Sequence, residues 1–289
     1  MEQIEEVLKW SDISGVAITP YLVEREVLEG SRPVLVAHQL VREDRRLINA
    51  PGDNIRVPTA TQLTAGNFSE GTTDYETILA EKTISKVTIS VDKHKYSNYG
   101  VTQTLLENQP DIAWIRLGLR NTGAAVAEAI DSDIITTLIA GVDSTHIVSP
   151  GTSGALNYDD VVNARAKMLA DDWSPAYLLV HPDQEADLLK DTKFIDASKY
   201  GSPDVLLNGE IGRFAGLTVL KSTQIPSGSA LLAVSPNYKY GPSAYIAYKR
   251  PIETGQKEFE NKETVVYWAS ARYGVGVAQG KALASISYC

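Results

Sequence analysis

Apolar residues recur at Ile112, Ile115, Leu119, Val126, Ile130, Ile134 and Leu138, in steps of three, four or seven that hold them on one face of a 3.6-residue period. The pattern predicts a single helix over residues 110–141, with Arg116, Arg120, Glu128 and Asp131 mostly on other faces. Pro110 suits a first helical turn, Glu107 and Asp111 complement the positive end of the dipole, and Gly141 offers the left-handed conformation that stops a helix. At 1.5 Å per residue such a helix is roughly 45 Å long, about three times the globular average. It crosses a whole domain, which a compact enzyme rarely requires.

Before this helix the periodicity is different. Residues 1–41 carry short apolar clusters at Val7–Trp10 and Val34–Leu40, divided by Gly15, Pro20, Gly30 and Pro33, and read as an N-terminal arm with short helices that needs a partner surface. From Asn54, IRVPTA, the polar TQLTAGNFSEGTTDY and ETILAEKTISKVTISV read as strand, tip and strand, a long hairpin over 54–91. Beyond Lys86 the apolar set changes parity to Val87, Ile89 and Val91, which marks a bulge or a strand passing from one packing surface to another.

After the helix, HIVSPGTSGALNYDD is a boundary into a second unit over 154–235. Asn157 with Asp160 three residues on predicts a capped helix burying Val161, Val162, Met168 and Leu169. Ala176–Val180 has the length of a buried strand, and HPDQEADLLKD starts another helix with Asp183 as N-cap. Strands at Leu217–Lys221 and in SALLAV complete an α/β order. The closing stretches SAYIAYKRPIE and ETVVYWASARYGVGVAQGKALASI are strands again, and pairing them with the strands near Lys86–Lys93 makes a discontinuous domain of 42–53, 92–153 and 236–289 that seats the long helix on its sheet. The fold class is α+β.

Composition narrows the function. The 289 residues are 43% hydrophobic and 22% charged, enough for a large folded core. No run of eighteen apolar residues exists and the start MEQIEEVLKW is acidic, so neither a membrane span nor a secretion signal is expected. The single cysteine, Cys289, excludes an internal disulfide and a cysteine zinc site. A formal charge of −9 disfavours a surface that wraps nucleic acid. The dense basic cluster Arg42, Arg45 and Arg46 reads as a solvated turn or an intersubunit ion pair, with a nucleic-acid contact as the other reading.

Chemistry is hard to find. The four histidines lie far apart with no HExxH pair, Asp131 and Asp133 fall on different helix faces, the glycines at 209, 212, 216 and at 274, 276, 280 match no nucleotide-binding fingerprint, and no GxSxG elbow occurs. No catalytic residue, metal ligand or cofactor is expected.

The order of arm, long hairpin, spine-length helix, α/β insertion and closing strands resembles the major capsid proteins of tailed bacteriophages and related archaeal viruses, with the Hong Kong 97 fold. The phrases that carry it are RVPTATQLTAGNFSEGTTDYE, DSDIITTLIAG, LLVHPDQEADLLKD with GEIGRFAGLTVLKSTQIP, and ARYGVGVAQGKALASI. The resemblance implies an extended loop over the hairpin, a peripheral domain with the spine helix, an axial domain over 154–235, and a shell of pentamers and hexamers around double-stranded DNA. The implied partners are other copies of the chain, a portal, scaffolding, protease or decoration proteins and packaged DNA held by weak non-specific contact, assembled in the host cytoplasm. Some members join neighbours by an isopeptide bond from a loop lysine to an asparagine. Residues 52–81 contain no lysine and Lys82 and Lys86 lie at the hairpin base, so non-covalent locking is expected, with Phe68 docking on a neighbour and Glu70 facing Arg116 or Arg120 there. The competing readings are an encapsulin-like nanocompartment shell, which shares the fold, and a soluble α/β enzyme, which needs a convergent polar pocket.

Overall fold

The computed structural model describes residues 20–31, 34–48, 50–59, 85–102, 104–105, 112–149, 155–191 and 213–287. Its organising element is helix α2, Ile112–Ala140, 29 residues long. The helix buries Ile115, Leu119, Val126, Ile130, Ile134 and Leu138, each no more than 4% exposed. These are six of the seven positions the period selects; the side chain of Ile112, Pro110 and Asp111 lie outside the described residues. Gly141 does stand at the end, but its backbone is not left-handed. Its N–H still reaches the carbonyls of Thr137 and Leu138, and any Cβ there would strike Val277, so the glycine serves a close approach rather than a reversal.

Beneath α2 lies a four-stranded sheet in the order β1 (Arg42–Asp44), β10 (Ala244–Phe259), β11 (Thr264–Val277), β4 (Lys93–Thr102), with β1 parallel to β10 and the rest antiparallel. The late strand β11 pairs with β4, which begins at Lys93, the end of the Lys86–Lys93 stretch to which the sequence assigned it; the rest of that stretch, β3, pairs with β2. Tyr273, fully buried, donates its hydroxyl to Asp133 Oδ2 at 2.8 Å, which ties the sheet to the helix.

Helix α1, Pro20–Ser31, corrects the reading of residues 1–41 as an arm without support in its own subunit. It buries Val23 and Val27 against α2, and Gly30 and Gly123 let the two backbones touch: a Cβ on Gly30 would meet the carbonyl of Arg120, and one on Gly123 that of Val27. Residues 1–19 lie outside the described residues.

The hairpin base is an antiparallel ribbon of β2 (Asn54–Thr59) and β3 (Ser85–Ser90), with Ile55 opposite Ile89 and Val57 opposite Val87. These side chains pack with Leu47, Val91 and Tyr245 over Ala247 of β10. Val87, Ile89 and Val91, the set beyond the parity change, share the packed face of this ribbon, and the chain then leaves β3 at Ser90 and joins the main sheet as β4 at Lys93; the even-numbered set before the change lies outside the described residues. Residues 60–84, which hold the predicted tip with Phe68 and Glu70, lie outside the described residues.

The third layer is a six-stranded sheet in the order β5 (Ile147–Val148), β12 (Leu283–Ser287), β9 (Ser229–Ala233), β6 (Tyr177–Val180), β8 (Leu217–Lys221), β7 (Arg213–Phe214). Helices α3 (Tyr158–Ala170) and α4 (Pro182–Lys190) accompany it. Three expectations change. Strands β5 and β12 belong to this sheet and not to the peripheral one, because LASI is apolar on both faces and Leu283, Ala284 and Ile286 are completely buried. Within α3 the buried apolar residues are Val161, Ala164 and Met168, while Val162 and Leu169 are 37% and 45% exposed: each sits one residue, about 100°, off the packed row. The Asn157–Asp160 capping box forms as expected, but α4 is capped by His181, whose Nδ1 accepts from the Asp183 N–H, with Pro182 and Asp183 inside the first turn.

Candidate assembly surfaces

Arg116 and Arg120 rise from α2 on the side facing α1. Glu26 of α1, 1% exposed, lies between them, with Arg120 Nε at 2.7 Å, Arg25 Nη2 at 3.1 Å and Arg116 Nε at 3.8 Å; Arg120 also reaches Glu29 at 3.2 Å. Burial raises the Glu26 carboxyl, and the hydrogen bonds from Arg120 and Arg25 with the positive charge around it outweigh that and hold it below the usual range. The sequence offers Arg116 or Arg120 as the partner of a neighbour's Glu70; in the structure both lie within ion-pair distance of Glu26 in their own chain. Glu26 itself was missed, although Val23, Val27 and Gly30 at helical spacing flag the face beside it.

The basic cluster is likewise answered locally. Arg45 pairs with Glu43 at 2.6 Å and Arg46 with Asp44 at 2.6 Å, so two of its three charges are neutralised by β1. Asp44 is raised by burial and more strongly lowered by the Arg46 hydrogen bonds. Both pairs form within the chain, and the two arginines stay largely exposed.

Two aspartates of α2 divide as their spacing requires. Asp133 faces β4 and β11, bonded to Lys95 at 3.1 Å, Lys93 at 3.3 Å and Tyr273, contacts that outweigh its burial and lower its pKa. Asp131 turns the other way and is completely buried. Its carboxylate accepts from the N–H groups of Ala37 at 2.9 Å and Val36 at 3.3 Å, at the start of the 3-10 turn Ala37–Leu40, and burial pushes its pKa up to about 6. The sequence placed Asp131 off the core face; a buried acid capping a distant turn has no local signature.

His146, also buried, spans the Leu283 carbonyl at 3.1 Å and Asp171 at 3.0 Å. Among the described residues no group of three or more histidine, cysteine, aspartate or glutamate side chains converges on a metal-sized site. No described helix is long and apolar enough to cross a membrane. What the surface does offer is exposed apolar area where a monomer has no use for it: Tyr96 of β4 at 74%, and Trp114 and Leu117 on the first turns of α2 at 58% and 52%. A long brace, a rooted ribbon and exposed aromatics are the equipment of a subunit that completes itself against others.

The chain belongs to the phage capsid protein family, whose profile matches residues 85–286, from the ribbon root to the last strand. It is a structural capsid protein with the Hong Kong 97-type fold, and the virion shell is its place. Among solved structures, the capsid of the cyanophage P-SCSP1u is similar at 14% identity and TM-score 0.67, over 88% of each chain. The Mycobacterium phage Che8 structure is similar at 16% and 0.64, over 87% of this chain and 90% of that one. The encapsulin SrpI of Synechococcus elongatus is similar at 16% and 0.59, over 87% and 86%. No curated protein sequence matches significantly.

Proposed function

We propose that copies of this chain close into an icosahedral shell of pentamers and hexamers that encloses double-stranded DNA. The observation that carries the proposal is the family match over residues 85–286, which spans the spine helix, three of the four strands beneath it and the six-stranded sheet. The DNA contact is weak and non-specific: the chain carries −9 net charge and Arg45 and Arg46 are engaged by Glu43 and Asp44, so packing depends on confinement rather than on a basic lining. A portal, scaffolding or protease and decoration proteins are the partners such a shell takes, with assembly in the host cytoplasm. The neighbouring axial domains meet around the fivefold and sixfold centres through the six-stranded sheet, and the 54–91 loop lies across an adjacent subunit. The likeness to an encapsulin supports a second reading, a nanocompartment that holds protein cargo. Electron microscopy of the purified chain, with nuclease digestion of material from infected cells, tests both: closed shells with protected DNA are expected. Shells that hold protein and no DNA favour the second reading, and a species that never grows beyond a dimer defeats the proposal.

A further inference from the structure

The four-stranded sheet ends in two unlike edges. On the β10 side the free stretch after Tyr248 is broken by register shifts between Tyr248, Arg250 and Glu253 and contains Pro251, features that spoil pairing with another strand. On the β4 side all ten residues, Lys93–Thr102, pair with β11 in unbroken register, with no proline and no bulge. Among the described residues β4 makes no backbone hydrogen bond on the side away from β11. An open edge about 33 Å long is a template for a further strand. Tyr96, the most exposed large apolar side chain among the described residues, stands on it.

Helix α2 runs beside this edge. Gly118 lies against the ring of Tyr99, and Asp133 joins Lys93 and Lys95 of β4 to Tyr273 of β11, so the helix axis follows the seam between the two strands. On the row of Gly118, four residues back and three and seven on, stand Trp114, Asn121 and Ala125, all exposed. The flank of α2 along the open edge is thus small in its middle and aromatic at its end. Interpolating along the helix between the Gly118–Tyr99 and Asp133–Lys93/Lys95 contacts brings Ala125 level with Ser97.

We infer that β4 pairs antiparallel with β4 of a second copy about a twofold axis at Ser97, which makes one eight-stranded sheet and lays the two α2 helices side by side. The inference rests on the shell reading above, because a shell subunit meets other copies of itself. Three observations select this occupant. Opposite residues in an antiparallel pair point to the same face, so a residue-centred axis is what keeps both helices on one side. About Ser97 the pairs are Lys95 with Tyr99, Lys93 with Val101, Tyr96 with Asn98 and His94 with Gly100, and no like charges oppose. Finally, each helix sits half a strand spacing from its own β4, so the two axes fall two spacings apart, about 9.6 Å, inside the 8–10 Å range of packed helices and suited to alanines at the contact.

The test places a single thiol on the axis. In the full chain with Cys289→Ser, Ser97→Cys should cross-link to a dimer when assembled shells are oxidised, since paired Cα atoms about 4.5–5.5 Å apart suit a disulfide. Asn98→Cys, one step off the axis, should cross-link far less. Hydrogen exchange of the unsubstituted chain should show β4 amides slowing on the order of tenfold or more between free subunit and shell. Shells whose Ser97→Cys variant stays monomeric on denaturing gels overturn the self-pairing, and if β4 is still protected another element of a neighbour holds the edge. Shells with no gain in β4 protection overturn the inference and leave the shell reading intact. A cross-linked dimer that never forms shells does the reverse.

Discussion

Replacing Asp131 by Asn separates the cost of a buried charge from the value of the turn it caps. The carboxylate is completely buried, and its pKa stands at about 6 against an ordinary 3.8. A folded-state pKa above the unfolded one means that the folded chain holds the proton more tightly, so the stability from this group is fully present below pH 3.8 and is lost as pH rises through 6. At neutral pH the ionised Asp131 therefore weighs against folding by about 3 kcal/mol relative to its protonated form. Asparagine keeps an oxygen for the Ala37 N–H and removes the charge, at the cost of an amide N–H₂ with about 1–2 kcal/mol of unmet hydrogen bonding. The expected result at pH 7.5 is a variant about 1–2 kcal/mol more stable than the wild type. The informative quantity is the change with pH: on going to pH 5.0 the wild type should gain about 1.4 kcal/mol on the variant, the value of RT ln(1 + 10) for one group with pKa 6. Glu26, Asp44 and Asp133 have lowered pKa values and lose their contributions only as pH falls toward 4 and below, and they are common to both proteins. Urea unfolding of unassembled subunits, followed by tryptophan fluorescence at the two pH values, measures the gap. A gap that does not move, or one that moves in favour of the variant, refutes the assignment of the raised pKa to Asp131.

The elements legible in the sequence were those whose signal is local and periodic. The spine helix was readable because six described apolar residues repeat on one face, and the Asn157–Asp160 cap because both partners lie three residues apart. Long-range facts were less readable. Nothing in LASI says which of two sheets it completes, and the choice of the six-stranded one depends on its pairing with the distant strand β9 and on core residues still further back in the chain. Residues 20–31 read as unsupported because their partner is the distant Gly123 face of α2, and the meaning of Gly30 emerges only when the two backbones meet. The same holds for the surfaces. Arg116 and Arg120 were singled out by charge, yet charge does not reveal that Glu26 already lies between them. Tyr96 and Trp114 were passed over because an aromatic is read as core until its exposure is known.

Three further substitutions probe the core, the α1 clasp and the loop. Ile130→Asp places an unpaired carboxylate where the side chain is completely buried, a cost of several kcal/mol, so soluble yield should collapse while exposed Glu128→Gln is unaffected. Equal yields would show the helix face to be misassigned. Glu26→Gln leaves three arginines around a neutral amide; because Arg25, Arg116 and Arg120 are 41–52% exposed, the loss is about 1–2 kcal/mol rather than that of a fully buried pair, and urea unfolding against Glu24→Gln measures it. The loop-tip sequence GNFSEG carries one aromatic, Phe68, and one acid, Glu70, which the shell reading seats on a neighbour. Burial of a Phe is worth about 1.5–3 kcal/mol and an exposed ion pair about 0–1 kcal/mol, and Arg116 and Arg120 are already shared with Glu26, which weakens the ionic share further. Phe68→Ala should therefore leave subunit folding intact and lower the melting temperature of shells more than Glu70→Gln does. With no lysine between residues 52 and 81, wild-type shells should also dissolve in hot detergent to one monomer-sized band. A covalent ladder on the gel defeats non-covalent locking, and an unchanged calorimetric transition for Phe68→Ala removes the aromatic anchor.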